Sequence, residues 1–305
     1  MKISFVIPSF NEAESLPELL RQIDSVGHAH AWNYEIIIID DGSTDNTFTL
    51  LSQQKNIYPR LHVIRFRRNQ GKAACLSVGF LKATGDRVIT LDADLQDDPQ
   101  DIPRLLKKIE EGFDAVTGWK FERHDPWHKV LPSHVINGIV RAMFGLRIHD
   151  MNCGLKAFRK EVLGQLPIYG DLYRYILIFA HSRGFKVTEI PTTHHSRKFG
   201  VSKYGFSRFA KGFFDLFTVF FLIKYSKKPL HFFGGLGLAL SSFGGLILVY
   251  LAIVHFTGQS IGDRPLLLLG ILLFLTGLQF VMTGFIAELL TSHTKNQEPP
   301  IDKEI

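Results

Sequence analysis

Two long apolar runs in the last third of the chain restrict its fold more than any other feature of the sequence. They cover residues 232–254 and 266–287, and neither run contains a charged residue. Each is long enough to cross the ~30 Å hydrocarbon core of a bilayer as a helix. A buried helix of that length in a soluble protein normally carries a polar stripe. The pattern therefore predicts a transmembrane hairpin over residues 229–290.

The charges around these runs predict which side of the membrane holds the rest of the chain. The connector between the runs is short, so both chain ends lie on one side. The connector contains one Lys or Arg residue, Arg264. Four lysines flank the hairpin on the other side, namely Lys224, Lys227, Lys228 and Lys295. Because Lys and Arg are enriched in cytoplasmic loops, we expect the N-terminal domain and both termini in the cytoplasm.

The segments on either side of the hairpin have their own compositions. Residues 205–228 carry aromatic and aliphatic side chains with Arg or Lys at the edges, which is typical of an interfacial amphipathic helix. Residues 291–305 mix acidic, basic and proline residues, and we expect them to be disordered. The bilayer is therefore the first partner that the sequence predicts.

Apolar runs alternate with helical patterns through the first half of the chain. The predicted strands are 2–10, 34–43, 61–66, 87–94 and 114–119. The helical patterns between and after them are 11–26, 44–55, 71–84 and 101–112. Strands that are apolar on successive residues are covered on both faces, and such alternation builds a mostly parallel sheet. We predict a doubly wound α/β domain over residues 1–204.

In such sheets a ligand binds beyond the carboxyl ends of the strands, near a switch in strand order. Three strand ends carry polar residues, and they read PSFNE, DDGSTD and DADLQ. Neither GxGxxG nor the phosphate-binding loop GxxxxGK is present, so the ligand is held in another way.

The second of these ends places Asp40 and Asp41 after a buried strand. Gly42 permits a sharp turn, and one of Ser43, Thr44 or Asp45 can cap the next helix. A capped turn accounts for residues 42–45 but not for two adjacent carboxylates. A carboxylate here can accept hydrogen bonds from a nucleobase N–H or from ribose hydroxyls.

The third end carries Asp92, Asp94 and Gln96. Strand alternation puts these three side chains on one side if the extended conformation continues. Three oxygen donors suit Mg²⁺ or Mn²⁺, which also bind phosphates, whereas the simpler alternative is a solvated acidic turn. Asp97 and Asp98, just before Pro99, are better suited to capping the following helix.

The net charge of +6 limits the classes of binding partner that we expect. Attraction to anionic lipid accounts for a basic domain at a membrane, and no nucleic-acid-binding pattern is present, so we expect no nucleic acid partner. Cys75 and Cys153 form no metal motif and are expected to pack. His194 and His195 have no acidic partner at ligand spacing, so we assign them no metal.

Four motifs in order carry a resemblance over residues 3–225. PSFNE, DDGSTD, GKAACLSVGF and DADLQDDP are similar to the nucleotide-sugar-binding half of inverting glycosyltransferases of family 2, which have the GT-A fold. The stretches at 150–163 and 194–209 resemble the polyprenol-phosphate sugar transferases. That branch includes dolichyl-phosphate mannose synthase and bacterial polyprenyl-phosphate glycosyltransferases, and it also contains carboxyl-terminal hairpins. The resemblance implies an inverting glycosyltransferase at a bacterial inner membrane.

The resemblance also implies a donor site for a UDP- or GDP-sugar. Pro8, Glu12 and Asp41 would contact the nucleobase and ribose, and Asp92 would lie against the nucleotide. Asp94 and Gln96 would hold Mg²⁺ or Mn²⁺ on the diphosphate.

The implied acceptor is a polyprenyl phosphate, either undecaprenyl or dolichyl. Arg197 and Lys203 would meet the phosphates of donor or acceptor. Where the branch often has arginines, the chain has Lys120, Arg123, Lys129 and Ser133. Asp150 would orient the sugar or act on the acceptor side, and with Asp94 and Arg197 it completes the implied catalytic set.

Two other functions remain open from the sequence. One is a membrane glycosyltransferase with a carbohydrate or lipid hydroxyl acceptor, although the QxxRW segment of processive synthases is absent. The other is a non-catalytic nucleotide-sugar-binding subunit. Helix pairing between copies through Gly234, Gly235, Gly244 and Gly245 would give a homo-oligomer.

Overall fold

The structure is a computed structural model. It describes residues 1–120, 138, 140, 141, 143–164, 166, 170–195, 208–226 and 228–293. The chain forms two compact units, Met1–Asp215 and Leu216–Ile305.

The described part of the first unit contains seven strands and the helices between them. The strands are β1 Lys2–Ser9, β2 Asn33–Asp40, β3 Leu61–Arg65, β4 Arg87–Thr90, β5 Ala115–Lys120, β6 Lys156–Arg159 and β7 Val187–Thr192. The helices are α1 Leu16–Ala29, α2 Thr47–Ile57, α3 Lys72–Lys82, α4 Ile102–Glu110, α5 Lys160–Leu163 and α6 Ile176–Ser182, with 3₁₀ turns at Pro99–Asp101 and Gly170–Tyr175.

The strands form one sheet in the order β3-β2-β1-β4-β6-β5-β7. All neighbouring pairs are parallel except the two made by β6, which is antiparallel to both β4 and β5. The chain adds β2 and β3 on one side of β1 and then crosses to add β4 on the other side. The switch in strand order therefore lies between β1 and β4, which is where such sheets bind ligands.

Helices cover both faces of the sheet, as predicted for a doubly wound fold. Helices α1 and α4 share a buried cluster with Ile3, Phe5 and Ile7 of β1. Helix α3 packs on the opposite face, where a methyl group at Gly79 would collide with Val6 and Ile39. The amphipathic spacing of α1 and α4 and the continuous apolar run of β2 follow from this layering.

Two strands were not predicted from the sequence, and two predicted strands extend too far. Strand β6 has only four residues, and β7 mixes Thr188, Glu189 and Pro191 at the sheet edge, so neither shows a clear apolar pattern. The predicted strands 34–43 and 87–94 are too long, because β2 ends at Asp40 and β4 ends at Thr90.

The second unit contains most of helix α7 Arg208–Lys224, followed by α8 Pro229–Phe256 and α9 Pro265–His293. Helices α8 and α9 include the predicted spans and extend beyond them. In the most apolar 18-residue stretch of each helix, only 17% and 11% is buried, respectively. A core helix of a soluble protein would be mostly buried. The two helices are therefore long and apolar enough to form a transmembrane hairpin.

Candidate active site

The turns after β1 and β2 are joined at the carboxyl edge of the sheet. The backbone nitrogen of Asn11 donates to Ser43 Oγ at 2.9 Å, and that of Glu12 donates to Thr47 Oγ1 at 3.0 Å. Asn11 has a φ of 56°, a left-handed conformation that asparagine tolerates better than most residues. These contacts hold Glu12 next to the turn that carries Asp40 and Asp41.

Asp41 holds the start of α3 through both of its carboxylate oxygens. They accept hydrogen bonds from the backbone nitrogens of Gln70 at 2.6 Å and Gly71 at 2.9 Å. Gly42 has a φ of 70°, and a side chain there would meet the backbone of Arg68, so the sharp turn predicted at Gly42 is confirmed. Asp41 thus joins the β2 turn to the loop before α3.

Asp40 is the fully buried last residue of β2. It accepts a hydrogen bond from the backbone nitrogen of Ser43 at 2.9 Å, and its Oδ2 lies 3.4 Å from Nε of Arg65. Asp40 therefore stabilises the turn that follows β2, whereas Asp41 binds the loop before α3.

The loop after β4 turns sharply instead of continuing as a strand. Leu95 has a φ of 59°, and the backbone nitrogen of Gln96 donates to Asp94 Oδ1 at 3.3 Å. The expectation that alternation aligns Asp92, Asp94 and Gln96 is therefore wrong, because the extended conformation ends before them. Asp94 is 7% exposed, so its carboxylate belongs to the interior of the loop.

Lys72, the first residue of α3, forms an ion pair with Asp92. Its ammonium group also lies 5.4 Å from the centre of the Tyr173 ring. Lys72 lies within the motif GKAACLSVGF, for which no role of the lysine was predicted. Its position after a glycine, at the start of a helix that follows a strand end, is the signal that identifies it.

Asp97 is a buried site residue and does not cap a helix, contrary to our prediction. It forms a β-bridge with His194, and its Oδ1 lies 3.9 Å from His194 Nδ1. Asp98 does cap the following turn, because its side chain accepts from the backbone nitrogen of Gln100 at 2.9 Å. The acidic partner of His194 is nearly one hundred residues away in sequence, so ligand spacing could not reveal it.

Lys120 lies in the negative field of this region. Burial opposes the charged form of Lys120, but Asp97, Cys153, Asp150 and Asp92 outweigh it and raise its pKa. Burial likewise opposes ionisation of Asp97, but His194, Lys120 and Lys156 outweigh it and lower the pKa of Asp97. Both groups therefore stay charged at neutral pH.

A second lysine, Lys156, lies beneath the same site. It is 8% exposed, and its ammonium group donates to the carbonyl oxygen of Cys153. Burial and then Lys72 lower its pKa, against the raising effect of Cys153, Asp150 and Asp92. The sequence signal for Lys156, which was not predicted to belong to the site, is a single lysine between the apolar residues Leu155 and Ala157.

The segment before β6 packs directly on the acidic loop. Asp150 is 1% exposed and accepts from the backbone nitrogen of Asn152 at 3.0 Å. A methyl group at Gly154 would lie 2.6 Å from Cγ of Asp92 and 2.8 Å from Oδ2 of Asp97. The absence of a side chain at Gly154 therefore lets both carboxylates approach the sheet. The cysteines pack as predicted, since Cys75 and Cys153 are both buried and free.

Several predicted site residues lie outside the residues that the structure describes. These are Arg123, Lys129, Ser133, Arg197 and Lys203. Of the predicted phosphate contacts, Lys120 alone is described, and it lies near Asp97 and Asp150. Contacts among the described residues link Glu12 to the turn of Asp41, Asp41 to the start of α3, and α3 to Asp92. Lys120 lies in the field of Asp92 and Asp150, and Pro8 is the second-last residue of β1.

The carboxylate oxygens of this loop are of the type that a hard divalent cation prefers. Among the described residues, no group of three His, Cys, Asp or Glu side chains converges on one point. Mg²⁺, however, is commonly held by one or two carboxylates together with substrate phosphates. Asp92 and Asp94 on one loop offer such a pair, and Lys72 balances the charge of Asp92.

Comparison with known proteins identifies relatives over almost the full chain. The chain is 36% identical over 300 residues to a dodecaprenyl-phosphate galacturonate synthase of Rhizobium johnstonii, a match over 95% of this chain and 88% of the relative. It is 35% identical over 291 residues to an undecaprenyl-phosphate 4-deoxy-4-formamido-L-arabinose transferase of an Enterobacter species, with the same coverage.

Solved structures share the fold at lower identity. Glucosyl-3-phosphoglycerate synthase of Mycobacterium tuberculosis, in complex with Mg²⁺ and UDP, matches with a TM-score of 0.57 at 20% identity over 71% of this chain and 78% of that chain. Mannosyl-3-phosphoglycerate synthase of Rubrobacter xylanophilus matches with a TM-score of 0.57 at 15% identity over 72% and 73% of the two chains.

The family follows from these matches and from the layout of the site. Residues 4–166, more than half of the chain, match the family model for glycosyl transferase family 2. The matched range contains all three acidic or polar strand ends that meet at the switch point of the sheet. The chain is a glycosyltransferase and belongs to glycosyl transferase family 2.

Proposed function

We propose that this enzyme transfers one sugar, with inversion, from a UDP- or GDP-sugar to a polyprenyl phosphate at the cytoplasmic face of a bacterial inner membrane. The observation that carries the proposal is the similarity to two polyprenyl-phosphate sugar transferases, which extends over 95% of the chain. The apolar hairpin α8–α9 supports the choice of a lipid acceptor, because it would hold the enzyme at the bilayer.

The donor would bind at the switch point between β1 and β4. Pro8 near the end of β1, and Glu12 and Asp41 on the turns after β1 and β2, would face the nucleobase and ribose. Both oxygens of Asp41 already accept one backbone hydrogen bond, and a carboxylate oxygen can accept a second bond from the nucleotide. Asp92 would lie against the nucleotide.

Asp94 and Gln96, with Asp92 beside them, would hold Mg²⁺ or Mn²⁺. When bound, such an ion supplies Lewis-acid stabilisation of the charge that develops on the departing nucleotide diphosphate. The solved structures of Mycobacterium tuberculosis glucosyl-3-phosphoglycerate synthase include complexes with Mn²⁺ and UDP-glucose and with Mg²⁺ and UDP. The oxygen donors of this loop are of the type that both ions prefer.

The acceptor would approach from the side of Lys120. A phosphate oxygen of the lipid attacks the anomeric carbon while the bond to the nucleotide diphosphate breaks on the opposite side, so the anomeric configuration inverts. The lipid phosphate is already anionic at neutral pH, so no strong general base is needed. Lys120, which its carboxylate neighbours keep protonated, would reduce the repulsion between the two phosphate groups.

The remaining residues have positioning roles in this proposal. Asp150, buried next to the acidic loop, would orient the sugar or the acceptor. Arg123, Lys129, Ser133, Arg197 and Lys203 would complete the binding of the phosphates.

A transfer assay tests the proposal. Purified full-length enzyme in detergent would receive Mn²⁺, undecaprenyl phosphate and a panel of radiolabelled UDP- and GDP-sugars, with undecaprenol as the matched acceptor lacking phosphate. We expect label from one donor in the organic phase with the phosphate and none with the alcohol. Equal labelling of the alcohol would overturn the phosphate acceptor. Donor binding without any labelled lipid would favour a hydroxyl acceptor of another kind or a non-catalytic subunit.

The anomeric configuration of the labelled lipid tests the stereochemistry separately. The proton NMR coupling at the anomeric carbon should show the configuration opposite to that of the donor. A product with the donor's configuration would overturn the single in-line displacement.

A further inference from the structure

The two hairpin helices pack against each other along a row of small residues. A methyl group at Gly237 would lie 2.6 Å from the carbonyl oxygen of Gly277, and one at Gly244 would lie 2.5 Å from the backbone nitrogen of Phe274. The hydroxyl of Ser241 donates to the carbonyl oxygen of Phe274 at 3.3 Å. This close packing is the usual arrangement of helices in a bilayer.

Two of the four glycines that were predicted to pair helices of different copies are used for packing within the hairpin. Gly234 and Gly244 are both buried in this row. A methyl group at Gly235 would meet open space, and one at Gly245 would lie 3.9 Å from Phe274. The free surface of α8 therefore keeps only two of the four glycines, and α9 offers a further surface for a contact between copies.

Helix α9 exposes a face on the side opposite α8. Its apolar residues include Leu272, Leu275, Met282 and Ile286, which are 57–61% exposed. Gln279 is exposed in the middle of this face, and no hydrogen bond to its side-chain amide is present among the described residues. It follows Gly277 by two residues, or about 200° around the helix axis, which directs it away from α8.

Gln279 is also the middle residue of α9 Pro265–His293. Roughly 20 Å of helix lies on either side of it, so a spanning helix places its amide near the midplane of the bilayer. Water does not reach that depth. An amide without a hydrogen-bond partner in hydrocarbon is costly, and polar side chains of spanning helices are usually bonded to another helix.

We infer that a second copy of this chain covers the exposed face of α9 and that the two Gln279 side chains form hydrogen bonds with each other. A glutamine amide both donates and accepts, so it is its own complement. Two copies inserted in the same direction hold Gln279 at the same depth. A two-fold axis along the membrane normal therefore brings the two amides together without any further adjustment.

Neighbouring Thr283 provides a matched control. It is exposed on α9 one turn after Gln279, but its hydroxyl already donates to the carbonyl oxygen of Gln279 at 2.9 Å. Its hydrogen-bonding capacity is met within its own helix. Removing that hydroxyl should leave the association of copies unchanged, whereas removing the amide should weaken it.

The test compares wild type, Gln279→Leu and Thr283→Val as full-length proteins in lipid nanodiscs or mild detergent, with mass measured by light scattering or native mass spectrometry over a dilution series. We expect a dimer or larger assembly for wild type and Thr283→Val. Gln279→Leu should shift dissociation to at least tenfold higher protein concentration. A monomeric wild type, or equal association of wild type and Gln279→Leu, would overturn the inference.

Cysteine cross-linking in native membranes identifies the partner. Leu275→Cys, on the same face of α9 and with Gln279 retained, should form a disulfide-linked species with twice the mass of the chain, since native Cys75 and Cys153 are buried. Phe243→Cys on α8, where the side chain is 60% exposed, is the control and should form much less. A cross-linked product with the mass of a different protein would overturn self-association. The result is independent of sugar transfer, so it does not depend on the proposed function.

Discussion

The ammonium group of Lys72 forms an ion pair with the carboxylate of Asp92. Lys72 begins α3 and Asp92 follows β4, so the pair connects the two sides of the switch point in the sheet. One carboxylate of the acidic loop is thus neutralised by the protein itself. The arrangement reduces the repulsion that four aspartates between residues 92 and 98 would otherwise exert on a diphosphate.

Replacing Lys72 with Met should raise the KM for the donor sugar nucleotide at least tenfold, because the unpaired charge of Asp92 would repel the diphosphate. Initial rates and calorimetric binding of the free nucleoside diphosphate measure the effect. Lys82→Met, at the exposed opposite end of the same helix, is the control and should stay within twofold of wild type. Equal behaviour of the two variants would remove Lys72 from the donor site.

Asp94→Asn should lower turnover at least a hundredfold while the protein stays folded, because the amide lacks the charge needed to hold a divalent cation. Wild-type activity should disappear with EDTA and return with Mn²⁺ or Mg²⁺. Rates and thermal unfolding in detergent check both statements. Wild-type activity that persists after complete metal removal would contradict the metal assignment.

Asp97→Asn should lower kcat/KM for the acceptor at least tenfold with a smaller change for the donor. Asp97 helps to keep Lys120 protonated and forms an isolated β-bridge with His194. Asp98→Asn is the matched control, since the Asp98 side chain is 27% exposed and serves as a cap. Steady-state kinetics with each substrate varied in turn separates the two effects. A loss in Asp98→Asn as large as in Asp97→Asn would argue against a specific role.

Gly154→Ala should reduce both activity and stability, because its methyl group would overlap the carboxylates of Asp92 and Asp97. Forcing extra atoms into packed sites costs about 1–3 kcal/mol. Gly164→Ala has open space around the new methyl group and should behave like wild type. Thermal unfolding and the transfer assay measure the difference, and a fully active Gly154→Ala would show that the acidic loop can move aside.

Glu35 should make the stability of the first unit depend on acidity. Burial of Glu35 opposes its charged form, but hydrogen bonds from Lys2, Ser4 and Thr84 outweigh burial and lower its pKa to about 2. A depressed pKa means that the stabilisation is complete above the ordinary pKa of 4.5 and is lost as pH falls toward 2. The contribution is on the order of 3 kcal/mol.

Unfolding of wild type and Glu35→Gln between pH 3 and 7 tests this expectation. The variant should be less stable at pH 7, and the difference between the two proteins should shrink as the pH falls. A difference that stays constant across the range would contradict the role of the Glu35 charge.

Local patterns in the sequence were enough to predict the layered fold. Each pattern predicts the secondary structure of its own segment independently of the rest of the chain. The patterns are the apolar runs of β1 and β2, the amphipathic spacing of α4 and the two uncharged runs of the hairpin. The acidic strand ends identified the edge where Asp41, Asp92 and Asp94 lie. Those inferences succeeded because periodicity and burial are properties of neighbouring residues.

The pairing of distant residues was decided by the tertiary structure. Lys72 forms an ion pair with Asp92, Asp97 forms a β-bridge with His194, and the carboxylates of the acidic loop pack against Gly154. No pattern of neighbouring residues in the sequence predicts any of these contacts. The turn at Leu95 likewise overrode the alternation expected from the strand before it. The sequence by itself determined β1–β5, α1–α4 and the two long apolar helices, because each of these segments must bury its own apolar face. Which charges meet depended on the order of the strands, because that order alone brings residues far apart in the chain to one edge of the sheet.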